Sequence, residues 1–281
     1  MKNVCVIGAG IMGSGIAQLI ATHGYKVNLV DISEELLIKA KNSIKFNLEK
    51  FFVAKNKITR YEAENILERI SLNDNKHEAV KDVQIVIEAV FEDMDLKQQL
   101  FSELDNLCKK DVILASNTSS LSITEIALMS KNQERIIGIH FFNPAPVMKL
   151  IELIKGKNTS EEIVEKSKFF SKDLDKTVVK VNDSPGFVTT RLIYVLCNEA
   201  INLLTTGIAS AEDIDTACKL AFNFPMGPLE LSDLVGNDIY YHIGKYLEKN
   251  LGEKYQPSPL LKEMIDDGLL GRKTRKGFYQ Y

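Results

Sequence analysis

The chain has 281 residues, 45% of them hydrophobic, with 35 basic and 38 acidic side chains and a formal net charge of −3. That length suits one large or two ordinary domains, with apolar residues enough for a sizeable core. The charge balance points to no nucleic-acid or membrane partner, and no apolar run approaches the roughly 18 residues of a membrane span.

The first residues, MKNVCVIGAGIMGSG, have the basic start of a leader peptide, but glycines break the apolar run and no clean cleavage site follows. They read as strand and turn. Residues 2–7 are a β-branched run suited to a buried parallel strand. Gly8-Ala9-Gly10-Ile11-Met12-Gly13 follows, then a helical pattern over 14–22, which is the context that a G-x-G-x-x-G motif requires. The first glycine allows the turn, the second lets the backbone approach a pyrophosphate, and the third lets the helix pack against the sheet. Unpaired N–H groups at the helix start then meet the phosphates. Residues 26–30 form a second strand closed by Asp31, 18 residues beyond Gly13, near the spacing of an acid that binds ribose hydroxyls. A carboxylate there repels a 2′-phosphate, so the cofactor expected is NAD(H) rather than NADP(H).

From 33 to about 70 the pattern is helical, and it breaks near Asn56 into an inserted helical pair. Lys50, Lys55 and Lys57 at its turn are either a solvated basic face or a docking point for substrate phosphates. Residues 83–90 (VQIVIEAV) are a buried strand with Glu88 inside it. A helix over 95–108 carries Lys97 in its first turn, where a cation opposes the dipole unless a bound anion or Glu92 compensates. The strand at 111–116 runs into Asn117-Thr118-Ser119-Ser120, small polar residues at the edge where doubly wound sheets bind ligands. Ser122 and Glu125 form a capping box for the next helix.

Residues 136–146 (IIGIHFFNPAP) put His140 at the end of a strand over 135–140. Imidazole is the one side chain whose unperturbed pKa lies near neutral pH, so His140 is either placed to move protons or a satisfied core histidine. In the next strand, 148–154, period-two alternation puts Glu152 in an apolar row with Met148, Leu150 and Ile154. A carboxylate there needs a partner. Pairing with His140 would fix the imidazole tautomer and raise its basicity, whereas an exposed edge strand would leave Glu152 in water. After a strand over 177–181 the strand signals stop. Helices are expected over 187–204, ended by Gly207, over 211–222, capped by Ser210, over 229–251, behind Pro228, and over 260–265. The fold expected is therefore α/β, a Rossmann-like doubly wound sheet with an inserted helical pair over 1–184, followed by an all-α C-terminal domain over 185–281. Cys5, Cys108, Cys197 and Cys218 have no metal-ligand spacing and read as buried free thiols in a reducing cytoplasm.

In combination, GAGIMGSGIAQ, SNTSS, HFFNPAPVMKLIE, SPGFV, PMGPLEL and GRKTRKGFY resemble the L-3-hydroxyacyl-CoA dehydrogenase family, most of all its short bacterial 3-hydroxybutyryl-CoA branch, over essentially the whole chain. The resemblance implies NAD-dependent interconversion of (S)-3-hydroxyacyl-CoA and 3-oxoacyl-CoA by a homodimer or dimer-based oligomer, with the C-terminal domain serving substrate binding and dimerisation. It implies His140 as general acid/base, Glu152 stabilising its imidazolium, and Ser119 bonding the substrate oxygen. Glu92 and Lys97 would lie near the nicotinamide ribose, with Asn117, Ser119 and Asn143 joining Gly8, Gly10, Ile11, Met12, Gly13 and Asp31 as cofactor contacts. Lys50 and Lys57 would face CoA phosphates. One position departs: Thr190 stands where the family has Asn before the Arg of its P-G-F-x-x-N-R segment. If that amide polarises the reacting carbonyl, a threonine hydroxyl costs about 10²–10³ in rate. A weakened or silent dinucleotide-binding relative, and a dehydrogenase of free 3-hydroxy acids such as L-gulonate, are the alternative expectations. Arg275 stands where the family usually has Gly, with no functional account from sequence.

Overall fold

The computed structural model describes residues 3–281, and the chain divides between Asp183 and Ser184 into two compact units. In the first unit β1 (Asn3–Ile7), β2 (Lys26–Val30), β3 (Ile70–Asn73), β4 (Ile85–Glu88), β5 (Ile113–Ser116), β6 (Ile136–Phe141), β7 (Leu150–Lys155) and β8 (Thr177–Asn182) form one sheet, in the order β3-β2-β1-β4-β5-β6-β7-β8. Strands β1 to β6 are parallel, β7 is antiparallel to β6, and β8 is parallel to β7. The strand order reverses between β1 and β4, the switch point at which doubly wound sheets bind their ligands.

The apolar runs explain the parallel sheet. Every residue of β4, β5 and β6 is buried, as it must be when helices cover both faces. The helices of this unit are α1 (Ile11–Thr22), α2 (Glu34–Leu48), α3 (Arg60–Glu68), α4 (Lys76–Ala79), α5 (Met94–Leu107), α6 (Ile123–Ile126) and α7 (Glu161–Asp173). Ile16 and Ile20 of α1, Leu37 and Ile44 of α2, Ile66 of α3 and Phe170 of α7 share one core with the strands.

Three differences from the sequence expectation are local. Helix α1 starts at Ile11, directly from the glycine turn, rather than at 14. Strand β3 was not anticipated, because its four residues follow α3 without Gly, Pro or another turn signal. The inserted pair is present, but α2 passes into a π-helical turn over Glu49–Val53 before Asn56 takes φ 53°.

The second unit is helical: α8 (Thr189–Thr205), α9 (Ala211–Ala221), α10 (Pro228–Val235), α11 (Asn237–Leu251) and α12 (Pro259–Asp266). Tyr194, Ile201, Leu229, Tyr240, Leu247 and Leu261 are among its core residues. The single helix expected over 229–251 is two, broken at Gly236, whose φ of 117° no helix tolerates. Two buried carboxylates anchor the C-terminal segment. Asp233 accepts from the N–H groups of Phe278 and Tyr279, both at 3.0 Å, and Asp215 accepts from the Tyr279 hydroxyl at 2.8 Å. Arg275 sits in that segment at φ 61°, a left-handed position that glycine adopts without strain, which gives a conformational reason for the glycine usual there.

Candidate active site

The glycine turn is shaped by close approach. Gly8 has φ +102°, and a Cβ there would lie 2.5 Å from the Ala89 carbonyl oxygen. A Cβ on Gly13 would lie 1.7 Å from the Gly8 carbonyl oxygen, whereas one on Gly10 would meet nothing within 4 Å. Gly10 is therefore the open side of the turn. It caps α1 without a side chain, and the first turn of that helix has no acidic residue, so the helix start presents N–H groups and positive potential. Asp31, at the end of β2, is held at the same mouth: its Oδ2 accepts from Ala9 N at 2.8 Å and its Oδ1 from Ser33 N at 3.3 Å. Ile11 is 77% exposed beside the turn, while Met12 packs partly against the core. These features fit a dinucleotide, with phosphates at the start of α1 and a ribose at Asp31.

Because β6 runs parallel to the strands before it, its carboxyl end lies at the same sheet edge. His140 stands directly opposite Glu152 across the antiparallel β6–β7 ladder, so both side chains share a face. Nδ1 of His140 lies 2.9 Å from Oε2 of Glu152, with the residues 6% and 0% exposed. The Phe142 ring packs on the imidazole at 4.4 Å between centroids. A carboxylate accepting from Nδ1–H puts the lone pair of the neutral ring on Nε2. Asn117 fastens the His140–Glu152 pair to the sheet, its Oδ1 accepting from Phe141 N at 2.9 Å and its N–H donating to the Glu88 carbonyl at 2.8 Å.

The cation in the first turn of α5 finds its compensation inside the protein. Lys97 is 1% exposed, and its Nζ lies 2.5 Å from Oε1 of Glu88 and 3.4 Å from Oε2 of Glu92. Glu88, 0% exposed, is thus its first partner, with Glu92 second. Oε2 of Glu88 also accepts from the Ser116 hydroxyl at 2.6 Å. Oε1 of Glu92 accepts from the Thr118 hydroxyl at 2.5 Å, Ser119 N at 3.0 Å and Ser120 N at 3.3 Å, which orders the segment carrying Ser119. Burial pushes the Glu92 carboxyl up, but the Lys97 charge and these donors outweigh it and hold the group below the usual carboxylate range.

Two family models cover the chain: the 3-hydroxyacyl-CoA dehydrogenase NAD binding domain matches residues 3–184 and the 3-hydroxyacyl-CoA dehydrogenase C-terminal domain matches residues 186–281. The chain belongs to the 3-hydroxyacyl-CoA dehydrogenase family. It is similar to a 3-hydroxybutyryl-CoA dehydrogenase of Clostridioides difficile, 45% identical over 99% of both chains. It is 43% identical to the human mitochondrial hydroxyacyl-coenzyme A dehydrogenase, over 100% of this chain and 91% of that one. Among solved structures, the (S)-3-hydroxybutyryl-CoA dehydrogenase of Ralstonia eutropha superposes with a TM-score of 0.96 at 40% identity, covering 100% of this chain and 99% of that one. The chain is accordingly an NAD-dependent oxidoreductase with a Rossmann-like first unit and a helical second unit.

Within this dehydrogenase, the first unit gathers Gly8, Gly10, Gly13, Asp31, Glu92, Lys97, Asn117, Ser119, His140 and Glu152 at one sheet edge. Asn143 follows β6 as an exposed loop residue. Lys50 and Lys57 lie elsewhere, on the inserted pair: Lys50 Nζ is 5.1 Å from the Phe46 ring centre and Lys57 Nζ 5.7 Å from that of Phe52. Thr190 is the second residue of α8, in the second unit. Sequence reasoning noted Glu88 without giving it a role, and it missed two exposed apolar residues at this edge. Ile32 and Phe91, just beyond β2 and β4, are 99% and 86% exposed. The available signal was a large apolar residue two or three positions beyond the end of a strand.

Proposed function

We propose that this dehydrogenase interconverts (S)-3-hydroxybutyryl-CoA and acetoacetyl-CoA, with His140 as the proton carrier. The buried His140–Glu152 pair, at the sheet edge that bears the glycine turn, carries this reading. The short acyl chain is supported by whole-length identity to a relative bearing that substrate's name. NAD supplies the hydride chemistry when bound, taking hydride from C3 in oxidation and returning it in reduction. In oxidation, Nε2 of His140 takes the 3-hydroxyl proton, and the O–H electron pair becomes part of the new C=O bond. In reduction, the imidazolium returns that proton to the oxygen. Glu152 stabilises the imidazolium in both directions. The Ser119 hydroxyl bonds the substrate oxygen, on a backbone held by Glu92. Asp31 holds the adenosine ribose; Glu92, Lys97, Asn117 and Asn143 line the nicotinamide end, with Ile11 and Met12 beside the phosphates. Lys50 and Lys57, with exposed ammonium groups, meet CoA phosphates, and Thr190 contacts substrate in place of the family asparagine.

The helical unit (185–281) is proposed as the substrate-binding and self-associating domain of a homodimer or dimer-based oligomer. Leu192 of α8 and Leu220 of α9 are 67% and 82% exposed, which suits burial against a second copy. Among the described residues no helix is long and apolar enough to cross a membrane. All four cysteines are free thiols, which supports a cytoplasmic setting.

The test is NADH oxidation with acetoacetyl-CoA, longer 3-oxoacyl-CoAs and free acetoacetate, repeated with NADPH. Turnover should be fastest with acetoacetyl-CoA and NADH. Absence of turnover at stoichiometric enzyme, or equal rates on the free acid, would overturn the reading. A monomer by light scattering would overturn the self-association.

A further inference from the structure

Lys176, between α7 and β8, is 7% exposed. Its Nζ donates to two main-chain carbonyls of the β6–β7 connection, Ala145 and Met148, both at 2.7 Å. Its neighbour Thr177 donates its N–H to the Lys149 carbonyl at 2.7 Å. The connection is itself a tight turn, Val147 N and Met148 N both donating to the Pro144 carbonyl at 2.9 and 3.0 Å. On its other side it rests on the cofactor helix: a Cβ on Gly15 of α1 would lie 3.6 Å from Ala145 Cβ and 3.7 Å from Pro146 Cδ. One ammonium group therefore fastens the segment that begins at His140, carries Asn143 and touches α1.

We propose that Lys176 is a positioning residue, clamping the β6–β7 connection so that Asn143 meets the cofactor in register with His140. The inference rests on the proposed role of Asn143 as a cofactor contact. An apolar side chain of similar length would fill this site without a buried charge. Burial lowers the ammonium's pKa to about 8, with Lys149 repelling it further and Asp175 attracting it. Asp175 also lies 3.5 Å from His23, and Asp173 beside it accepts from the Tyr25 hydroxyl. The charged form holds both carbonyls through charge-assisted bonds, and the neutral amine holds them more weakly.

The experiment compares wild type, Lys176→Met, Lys176→Arg and Asn143→Ala with NADH and acetoacetyl-CoA across pH, together with hydrogen exchange of the Val147 and Met148 amides. Displacements below 1 Å near reacting atoms can cost up to about a hundredfold. Lys176→Met should therefore lower kcat roughly tenfold, raise KM for NADH about fivefold, and speed exchange at both amides, with Lys176→Arg in between. Wild-type KM for NADH should rise as pH rises through about 8, and both Lys176 variants should lack that rise. Faster exchange with unchanged kinetics and pH profile would make Lys176 a structural tether and overturn the proposal, as would unchanged exchange. If Asn143→Ala leaves KM for NADH unaltered while Lys176→Met raises it, the role of Asn143 fails and the clamp stands. Should Lys176→Met not fold, Lys176→Arg and the wild-type profile decide.

Discussion

Replacing Glu152 by Gln tests the proton carrier most directly. The substitution keeps the shape and an oxygen able to accept from Nδ1 of His140, now 2.9 Å from the carboxylate, but removes the charge. Two unit charges about 4 Å apart interact by about 4 kcal/mol at an effective dielectric of about 20. With both residues nearly inaccessible to water, screening does little to reduce this. At about 1.4 kcal/mol per decade, the loss of imidazolium stabilisation corresponds to at most about 10³ in kcat. The expected fall is about 10²–10³, since the retained hydrogen bond still orients the ring. Because the overall equilibrium cannot change, the ratio kcat/KM must fall by the same factor in oxidation and in reduction. KM for NADH should not move. Steady-state kinetics in both directions measure both, and a kcat within about threefold of wild type would refute the reasoning.

His140→Ala should lower kcat by about 10²–10⁴ while NADH still binds, by fluorescence titration; an intact rate removes His140 from the chemistry. Thr190→Asn should raise kcat toward the family's level, up to about 10²-fold; an unchanged or lower rate means the threonine is no defect. Asp31→Ala removes the acceptor of Ala9 N–H and the proposed ribose ligand together. A charged hydrogen bond of about 1.5–3 kcal/mol predicts a KM for NADH about 10–100-fold higher and a narrowed preference over NADPH. Equal KM values would show that Asp31 is not the ribose acid.

The strands and the glycine turn were readable because their signals are local. Unbroken β-branched runs mean burial on both faces, and G-x-G-x-x-G means a tight turn wherever it joins such a run to a helix. The His140–Glu152 contact was readable because the two residues lie 12 apart, joined by a short connection that forces their strands to pair. Strand β3 was not readable, since ISLN becomes a strand only by pairing with β2, a tertiary event. The break at Gly236 was not readable, since a helical pattern can tolerate one glycine and only its φ of 117° excludes a continuous helix. Glu88 was visible as a charge inside a strand, but its partner, nine residues on, comes from a helix after a turn. Lys176 gave no signal at all, because its acceptors are main-chain carbonyls, which look alike in every sequence.

The Glu88–Lys97 pair shows how burial and function are linked at this edge. Lys97→Met would leave Glu88, 0% exposed, with the Val90 N–H at 2.8 Å and the Ser116 hydroxyl at 2.6 Å but no cation. Breaking a buried pair from one side costs about 3–5 kcal/mol, because the remaining charge is uncompensated, whereas replacing both partners is often tolerated. Lys97→Met should therefore lower the unfolding temperature sharply, and adding Glu88→Gln should recover most of it. Lys97 also helps to hold the Glu92 carboxyl below its ordinary range. A depressed folded pKa gives stability that is present above the ordinary carboxylate value, about 4.3, and lost as pH falls through the folded value. In Lys97→Met the Glu92 value rises, so that contribution shrinks and disappears at a higher pH, and the variant should unfold earlier on acidification. The double variant separates the two roles of the cation. If it regains stability but stays slow, Lys97 serves the Ser119 segment through Glu92, which it approaches at 3.4 Å. If Lys97→Met alone melts with wild type, hydrogen bonds suffice to keep Glu88 buried, and the ion pair supports neither the sheet edge nor the segment that carries Ser119.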